Sequence, residues 1–133
     1  MLGNHRRALA MSQAIPFYAA QYDVHEHGGA VGDVEIGLDI PTDVVVTHGL
    51  IRILEAPTST GAATVAVRVE VADDMLAPTA IAAMTGLLDI VPNGTAANAI
   101  AVTQPRKITV TIGTEALTTG RFLIGFYYLP MGA

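Results

Sequence analysis

The sequence predicts an all-β domain, an antiparallel β-sandwich (jelly roll) of about eight strands. Apolar and polar residues alternate over 33–40, 64–71 and 107–112, and this period of two is typical of half-buried strands. Segments rich in Pro, Gly, Asn and Thr separate the runs at the spacing expected of a sandwich. The chain has 133 residues, which fits one domain with a hydrophobic core.

The N-terminal segment differs from the rest because residues 1–15 show no steady period. We expect an extended N-terminal arm over residues 1–15, followed by a β-sandwich domain over 16–133. The first strand is predicted over 17–24. The next segment, His25-Glu26-His27-Gly28-Gly29, is predicted to form a turn. The second strand should end at Pro41, because proline cannot donate to a strand ladder.

The middle of the chain is rich in β-branched residues, and Val44–Glu55 is predicted to hold one or two strands. Gly49 within it indicates a bulge or kink. The composition of residues 57–61 predicts a loop, and the alternating valines over 65–71 predict a strand. Residues 73–86 are expected to form a helical turn or a structured loop, with a short helix near the end.

The C-terminal part predicts short strands over residues 87–91 and 99–103, and a longer strand near 107–112. Thr118-Thr119-Gly120 is predicted to turn the chain into the last strand. One face of that strand carries Phe122, Ile124, Phe126 and Tyr128, and the other carries Leu123, Tyr127 and Leu129. Both faces are apolar, so this strand should be central or covered by a partner.

The composition indicates a protein whose surface is partly covered by other subunits. Charged residues make up 14% of the chain and apolar residues 51%, whereas about 25% charged residues is usual. Large exposed apolar patches usually mark interfaces. The expected partner contacts lie in the arm and first strand and in the last strand: Leu9, Met11, Ile15, Phe17, Tyr18, Phe126, Tyr127 and Tyr128.

The charge and cysteine content narrow the possible partners. The net charge of −5 argues against binding to nucleic acid, which requires clustered Lys and Arg. His5, Arg6 and Arg7 form the one basic cluster of the sequence. There are no cysteines, so disulfides and thiolate metal sites are excluded. No run reaches the roughly 18 apolar residues expected of a membrane helix, so no membrane partner is expected.

A metal site is a weak alternative at His25 and His27, whose spacing on a strand would place both imidazoles on one side. Asp33 or Glu35 could supply a further ligand if the segments formed a hairpin. A polar turn is the preferred interpretation, so no metal or cofactor is expected. A small metal-dependent enzyme that also uses His48 remains the third hypothesis for function.

The serines and acidic residues do not form a recognisable catalytic motif. Ser12 and Ser59 lack the G-x-S-x-G context of a nucleophile. Asp73 and Asp74 are adjacent, so on an extended chain their carboxylates point apart, and we interpret them as a capped turn. We therefore predict that the protein is not an enzyme.

Three stretches together resemble small jelly-roll structural proteins of tailed phages. They are "LDIPTDVVVTHGLIRILE", "GAATVAVRVEVADDMLAP" and "RKITVTIGTEALTTGRFLIGFYYLP". In that group a strand leads into a "GDAD"-like acidic loop, and a "TVTV…PTAGxxxVxVxY" hairpin closes the chain. Here Ala72-Asp73-Asp74 stands at the acidic loop, and Leu117–Tyr128 matches the hairpin. The resemblance covers residues 33–130, and residues 1–32 have no counterpart.

The resemblance implies a virion structural protein. Members of the group include capsid decoration (cement) proteins, commonly trimeric, on the outer shell, and others belong to head fibres or tails. We therefore expect a homotrimer that bridges major capsid protein subunits on the capsid surface after assembly in the host cytoplasm. The alternative is a carbohydrate- or receptor-binding sandwich module of a tail or head fibre, although the chain has few Tyr and no Trp for sugar stacking.

Overall fold

A computed structural model describes residues 15–131, which form two antiparallel sheets. The nine strands are β1 (Phe17–Asp23), β2 (Gly32–Ile40), β3 (Val44–Ser59), β4 (Thr64–Arg68), β5 (Leu76–Ala80), β6 (Leu87–Asn93), β7 (Ile100–Val102), β8 (Arg106–Gly113) and β9 (Leu117–Pro130). A one-turn helix α1 (Val24–His27) follows β1, and 3-10 turns occupy Ile81–Ala83 and Ala96–Asn98. Within residues 15–131, no helix has the length and apolarity that a membrane span requires.

The strand order is that of a jelly roll. Sheet A contains β1-β9-β3-β6 with β7 paired to β3, and sheet B contains β2-β8-β4-β5. Strands β1, β9, β3 and β6 of sheet A are followed or preceded in sequence by β2, β8, β4 and β5 of sheet B. Equivalent places in the two orders therefore hold strands that are consecutive in the chain, whereas β4 and β5, and likewise β6 and β7, are consecutive within one sheet. The predicted all-β jelly-roll sandwich is confirmed.

The core lies between the two sheets and is built from alternate side chains. In β1, Tyr18, Ala20 and Tyr22 are buried while their neighbours in the strand are exposed or half-buried. Tyr18 stacks on Phe126 of β9 with ring centroids 5.0 Å apart. The largest fully buried side chains include Tyr22, Phe122, Phe126, Ile36, Ile40, Ile51, Met75, Met84, Ile108, Ile112 and Ile124.

The end of β4 differs from the predicted strand over 65–71, because the strand stops at Arg68. The Asp74 carboxylate accepts hydrogen bonds from the backbone N–H groups of Val69 and Glu70, both at 2.8 Å, and of Val71 at 3.0 Å. These donors therefore bind one side chain rather than a neighbouring strand. The acidic loop is an intramolecular structural element in which Asp74 is the acceptor.

Residues 73–86 also differ from the expected helical turn, because Leu76–Ala80 forms the edge strand β5. Pro78 is compatible with this place because an edge strand has a free side where no N–H is required. The short helix expected near residue 84 is a 3-10 turn over Ile81–Ala83. Met75 precedes β5 and Met84 follows it, and because both side chains are buried they hold the strand against the core.

Two predicted loops are strand in the structure. Pro57, Thr58 and Ser59 continue β3, and Thr118–Gly120 belongs to β9. The chain instead turns just before β9, where Thr114 has a φ of 71°. The Thr58 hydroxyl lies 2.6 Å from the Thr119 hydroxyl, so side chains add cross-strand contacts where the backbone register shifts.

The second strand contains a bulge that overrides its alternating pattern. Its register with β8 shifts between Ile36 and Ile40, and Gly37 has a φ of +76°. Leu38 is 81% exposed, whereas Ile36 and Ile40 are buried. The Tyr18 hydroxyl donates a hydrogen bond to the carbonyl oxygen of Leu38. The bulge thus joins the edge of sheet B to β1 of sheet A.

Two buried phenols connect β1 to its surroundings. Besides the Tyr18 contact, the Tyr22 hydroxyl donates to the carbonyl oxygen of Gly28 at 2.6 Å. Burial raises the pKa of Tyr18; the hydrogen bond to Leu38 offsets part of this rise, and the negative charge of Asp39 adds to it. Burial likewise raises the pKa of Tyr22, with a smaller contribution from Asp23. Both phenols therefore favour the protonated form in the folded chain.

The two phenols should make the free energy of unfolding depend on pH in the alkaline range. Because their pKa is raised on folding, the unfolded chain loses phenolic protons first, so the free energy of unfolding should fall as pH rises above about 10. The Tyr22→Phe variant should show a shallower fall. Urea unfolding followed by circular dichroism at several alkaline pH values measures this. Equal slopes for both proteins would contradict the assignment.

Replacing Asp74 should destabilise the fold. Asp74→Asn places an amide N–H₂ against backbone donors, and we expect the free energy of unfolding to fall by about 2 kcal/mol. Asp73→Asn is the matched control, because it removes the same charge one residue earlier and Asn tolerates a positive φ. Its effect should stay within about 0.5 kcal/mol. Equal losses in the two variants, measured by urea unfolding, would refute the structural role of Asp74.

Candidate partner-binding surface

The outer face of sheet A, the side turned away from sheet B, carries apolar residues in rows across the strands. The pairing of β1, β9, β3 and β6 places these side chains together. Three of them illustrate its exposure: Leu87 is 61% exposed, Leu129 46% and Phe17 45%. The outer face of sheet A is defined here by Ile15, Phe17, Ala19, Val45, Leu50, Leu87, Leu123, Gly125, Tyr127 and Leu129.

The middle of this face is built on a glycine. A Cβ at Gly125 would lie 2.3 Å from the Phe17 ring, so the ring packs directly on the β9 backbone. Phe17 also contacts Tyr127 edge to face, with centroids 4.8 Å apart. The two rings therefore cover the strand while keeping much of their own surface exposed.

One end of the face contains a depression where the described chain begins. Ile15 lines it together with Thr47, His48, Tyr127 and Leu129. The Tyr128 N–H donates to the carbonyl oxygen of Pro16 at 3.2 Å, so the sheet pairing extends to this point. The described part of the chain therefore begins at the outer face of sheet A.

Charged residues lie beside the apolar ones on this face. Arg52 of β3 is opposite Leu87 of β6, and Leu50 of β3 is opposite Asp89 of β6. Both charged side chains are exposed. Within residues 15–131 neither takes part in an ion pair. Their charges are thus available to a partner.

The outer face of sheet B is polar. Arg68 pairs with Asp33 at 3.0 Å, and the Thr111 hydroxyl donates to the same carboxylate at 2.7 Å. Nearby, Arg106 Nε and Glu70 Oε1 lie 2.8 Å apart, an electrostatic contact without hydrogen-bond alignment. A cleft on this face is lined by charged and threonine side chains together with Val69 and Pro105, and none of its described lining residues is aromatic.

The expected partner residues fall into three groups in the structure. Leu9 and Met11 lie outside the described residues. Ile15, Phe17 and Tyr127 are exposed on the outer face of sheet A, and Tyr128 is half-buried. The side chains of the other two, Tyr18 and Phe126, are 9% and 0% exposed because they point between the sheets. Those two are core residues, and a partner cannot reach Phe126.

The histidines considered as metal ligands do not come together. His25 and His27 lie in α1, where His27 Nδ1 accepts from the Asp23 N–H at 3.1 Å. Asp23 is opposite Arg121 of β9, whereas His48 is opposite Tyr127. Six strand residues span about 20 Å, too far for a shared metal. Among residues 15–131 no group of three or more potential ligands is present.

Sequence reasoning missed Leu50, Leu87, Arg52 and Asp89 as surface residues. Leu50 and Leu87 are 37 positions apart in the sequence, as are Arg52 and Asp89, so no local pattern places them together. The signal that the sequence did contain is the apolar second face of the last strand, at Leu123, Tyr127 and Leu129. That face continues across β3 onto β6.

The fold is shared with chains of phage capsid structures. No protein-family model matches the chain, and no curated protein matches it in sequence. A chain in the acidic stable capsid structure of the Helicobacter pylori bacteriophage KHP30 has a TM-score of 0.62 and 10% identity, covering 90% of each chain. A chain in the capsid of Ralstonia phage GP4 has a TM-score of 0.60 and 16% identity, covering 91% of this chain and 89% of that one.

A third similar structure is a chain of the cyanophage Pam1 capsid asymmetric unit. Its TM-score is 0.53 at 13% identity, with 85% of this chain and 84% of that chain covered. At such low identities the likeness concerns the fold. In all three cases it extends over most of both chains, so it describes the whole sandwich rather than a shared fragment.

The packing of Phe17 on Gly125 can be tested with a double-mutant cycle. Gly125→Ala should displace the ring and lower the free energy of unfolding by about 1–3 kcal/mol. In a Phe17→Ala background the same change should be close to neutral, because the clashing ring is gone. Denaturant unfolding of the four proteins measures the coupling. Additive effects would show that the ring does not pack there.

Proposed function

We propose that the chain is a virion structural protein of a tailed phage, and specifically a capsid decoration (cement) protein. The observation that carries the proposal is the exposed apolar outer face of sheet A on a jelly-roll sandwich. The fold shared with chains of three phage capsid structures supports it. The role is structural, with no catalytic step.

In the proposed assembly, three copies form a homotrimer on the capsid surface and bridge major capsid protein subunits, having assembled in the host cytoplasm. Burial of apolar surface supplies the binding free energy, at roughly 25 cal/mol per Å². A specific interface buries about 1,600 Å² in total. The sandwich contributes to such an interface without enlarging its core, because one of its two outer faces is already apolar.

The N-terminal arm adds to the same contact in this proposal. Residues 1–15 are proposed to contact a neighbouring subunit through Leu9, Met11 and Ile15. Support comes from Ile15, which lies in the depression beside Tyr127 and Leu129. Because the proposed arm ends at this depression, it is connected to the sandwich next to the surface where the capsid protein is proposed to bind.

The fibre-module alternative has less support. Recognition of sugars commonly relies on aromatic side chains with convergent polar groups. The polar cleft of sheet B has the polar groups, but its described lining residues include no aromatic ring. The exposed aromatic residues Phe17 and Tyr127 instead lie on the apolar face of sheet A.

Binding to capsids tests the proposal directly. Purified protein is mixed with expanded capsids of the encoding phage from which the chain has been omitted, and co-sedimentation is measured. Wild-type protein should bind at a regular number of copies per capsid and raise the temperature at which the capsids disassemble. Leu129→Asp should weaken binding by about tenfold or more, because it buries a charge at the interface.

Leu38→Asp is the matched control, since Leu38 is also exposed but lies on the bulge of sheet B. It should bind as wild type does. Light scattering of the free protein tests the trimer independently. The proposal is wrong if wild-type protein does not bind the capsids, and the choice of surface is wrong if both variants bind equally well.

A further inference from the structure

Four residues at the β3–β6 border form a pattern that is complementary to itself. Leu50 and Arg52 of β3 lie opposite Asp89 and Leu87 of β6. One diagonal of this quartet is therefore apolar, Leu50 to Leu87, and the other joins opposite charges, Arg52 to Asp89. Diagonal neighbours in an antiparallel pair are roughly 7–8 Å apart.

A two-fold axis along the apolar diagonal exchanges the charged corners. If two copies met face to face about such an axis, Leu50 and Leu87 would each contact their own equivalents. Arg52 of each copy would meet Asp89 of the other, giving two ion pairs for one contact. An isologous interface requires this self-complementarity, because the same patch serves both partners.

The exposure of the surrounding residues fits such a contact. Leu87 is 61% exposed, which is more than any other apolar side chain of this face. A specific interface uses about 800 Å² per partner, so the contact is centred on the quartet and extends over neighbouring residues of β3 and β6.

We propose that a second copy of this chain binds the outer face of sheet A through the quartet Leu50, Arg52, Leu87 and Asp89, by two-fold symmetric contact. The inference rests on the proposed function, in which copies of the chain are neighbours in a shell. The contact joins two subunits of adjacent homotrimers. The depression at Ile15 lies away from this quartet, at the end of the face lined by Thr47, Tyr127 and Leu129, where the capsid protein is proposed to bind.

Charge reversal tests the pairing without capsids. Light scattering across a dilution series gives the mass of wild type and of Arg52→Asp and Asp89→Arg. Each single variant places like charges opposite each other at both pairs, so its mass should fall to that of one homotrimer, with a dissociation constant for the contact raised by about tenfold or more. Higher salt should weaken the wild-type contact and spare the variants.

Two rescue experiments identify the partner as a second copy. The double variant carrying both reversals should regain the wild-type mass, because its charges are complementary again. An equimolar mixture of the two single variants should also regain the wild-type mass. One variant has aspartates at both charged positions of the quartet and the other has arginines at both, so their charges are complementary. A foreign partner would not respond to either change in this way.

Arg68→Asp is the control, since it reverses an exposed charge on sheet B and should leave the mass unchanged. Circular dichroism verifies that every variant is folded. The inference is overturned if single variants keep the wild-type mass, if neither rescue restores it, or if wild type is one homotrimer at all concentrations. Wild-type binding to capsids in any of those cases would leave the proposed function standing and refute the copy–copy contact alone.

Discussion

Strand β9 imposes the constraint on which the rest of the structure depends, because both of its faces are apolar. It lies between β1 and β3, so its backbone is paired within the chain over most of its 14 residues. Phe122, Ile124 and Phe126 are fully buried between the sheets. The other face has no third layer among the described residues to cover it. What β9 leaves uncovered is therefore apolar side-chain surface rather than unpaired backbone, so the assembly we propose uses this sheet face.

The fold class could be predicted because period-two alternation is a local property of a half-buried strand. Residues 107–112 show it plainly, and β8 covers them. The errors occur where one particular contact or backbone turn overrides the alternating pattern or the local composition. Val69–Val71 continues the valine pattern, yet the Asp74 carboxylate takes its backbone donors. Pro57–Ser59 has loop composition, yet β9 is long enough to pair with it. Leu38 keeps the alternation but is turned outward by the bulge at Gly37.

The candidate surface was predictable only in the part that belongs to one strand. Tyr127 follows from the two-sided pattern of β9, and Phe17 from its place beside the N-terminal arm. Tyr18 and Phe126 could not be assigned to core or surface, since a strand apolar on both faces does not reveal which face is inside. Arg52 and Asp89 have ordinary surface composition, and their relation depends on the β3–β6 register. That register shifts at Gly49, whose Cβ would lie 2.5 Å from Ile90.

The two outer faces of the sandwich differ although only 14% of the residues are charged. The outer face of sheet B is polar, and that of sheet A is largely apolar. On sheet B, Arg68 and Asp33 neutralise each other and a threonine completes the pair, so that face offers little net charge to a partner. On sheet A, Arg52 and Asp89 keep their charges free beside the exposed Leu87 and the half-buried Leu50. In a jelly roll the two outer faces are set by separate strands, so one can change without altering the core or the other face. Partner choice in the proposed shell therefore depends on a few outward residues of β3 and β6, while β9 supplies the apolar area that any partner must cover.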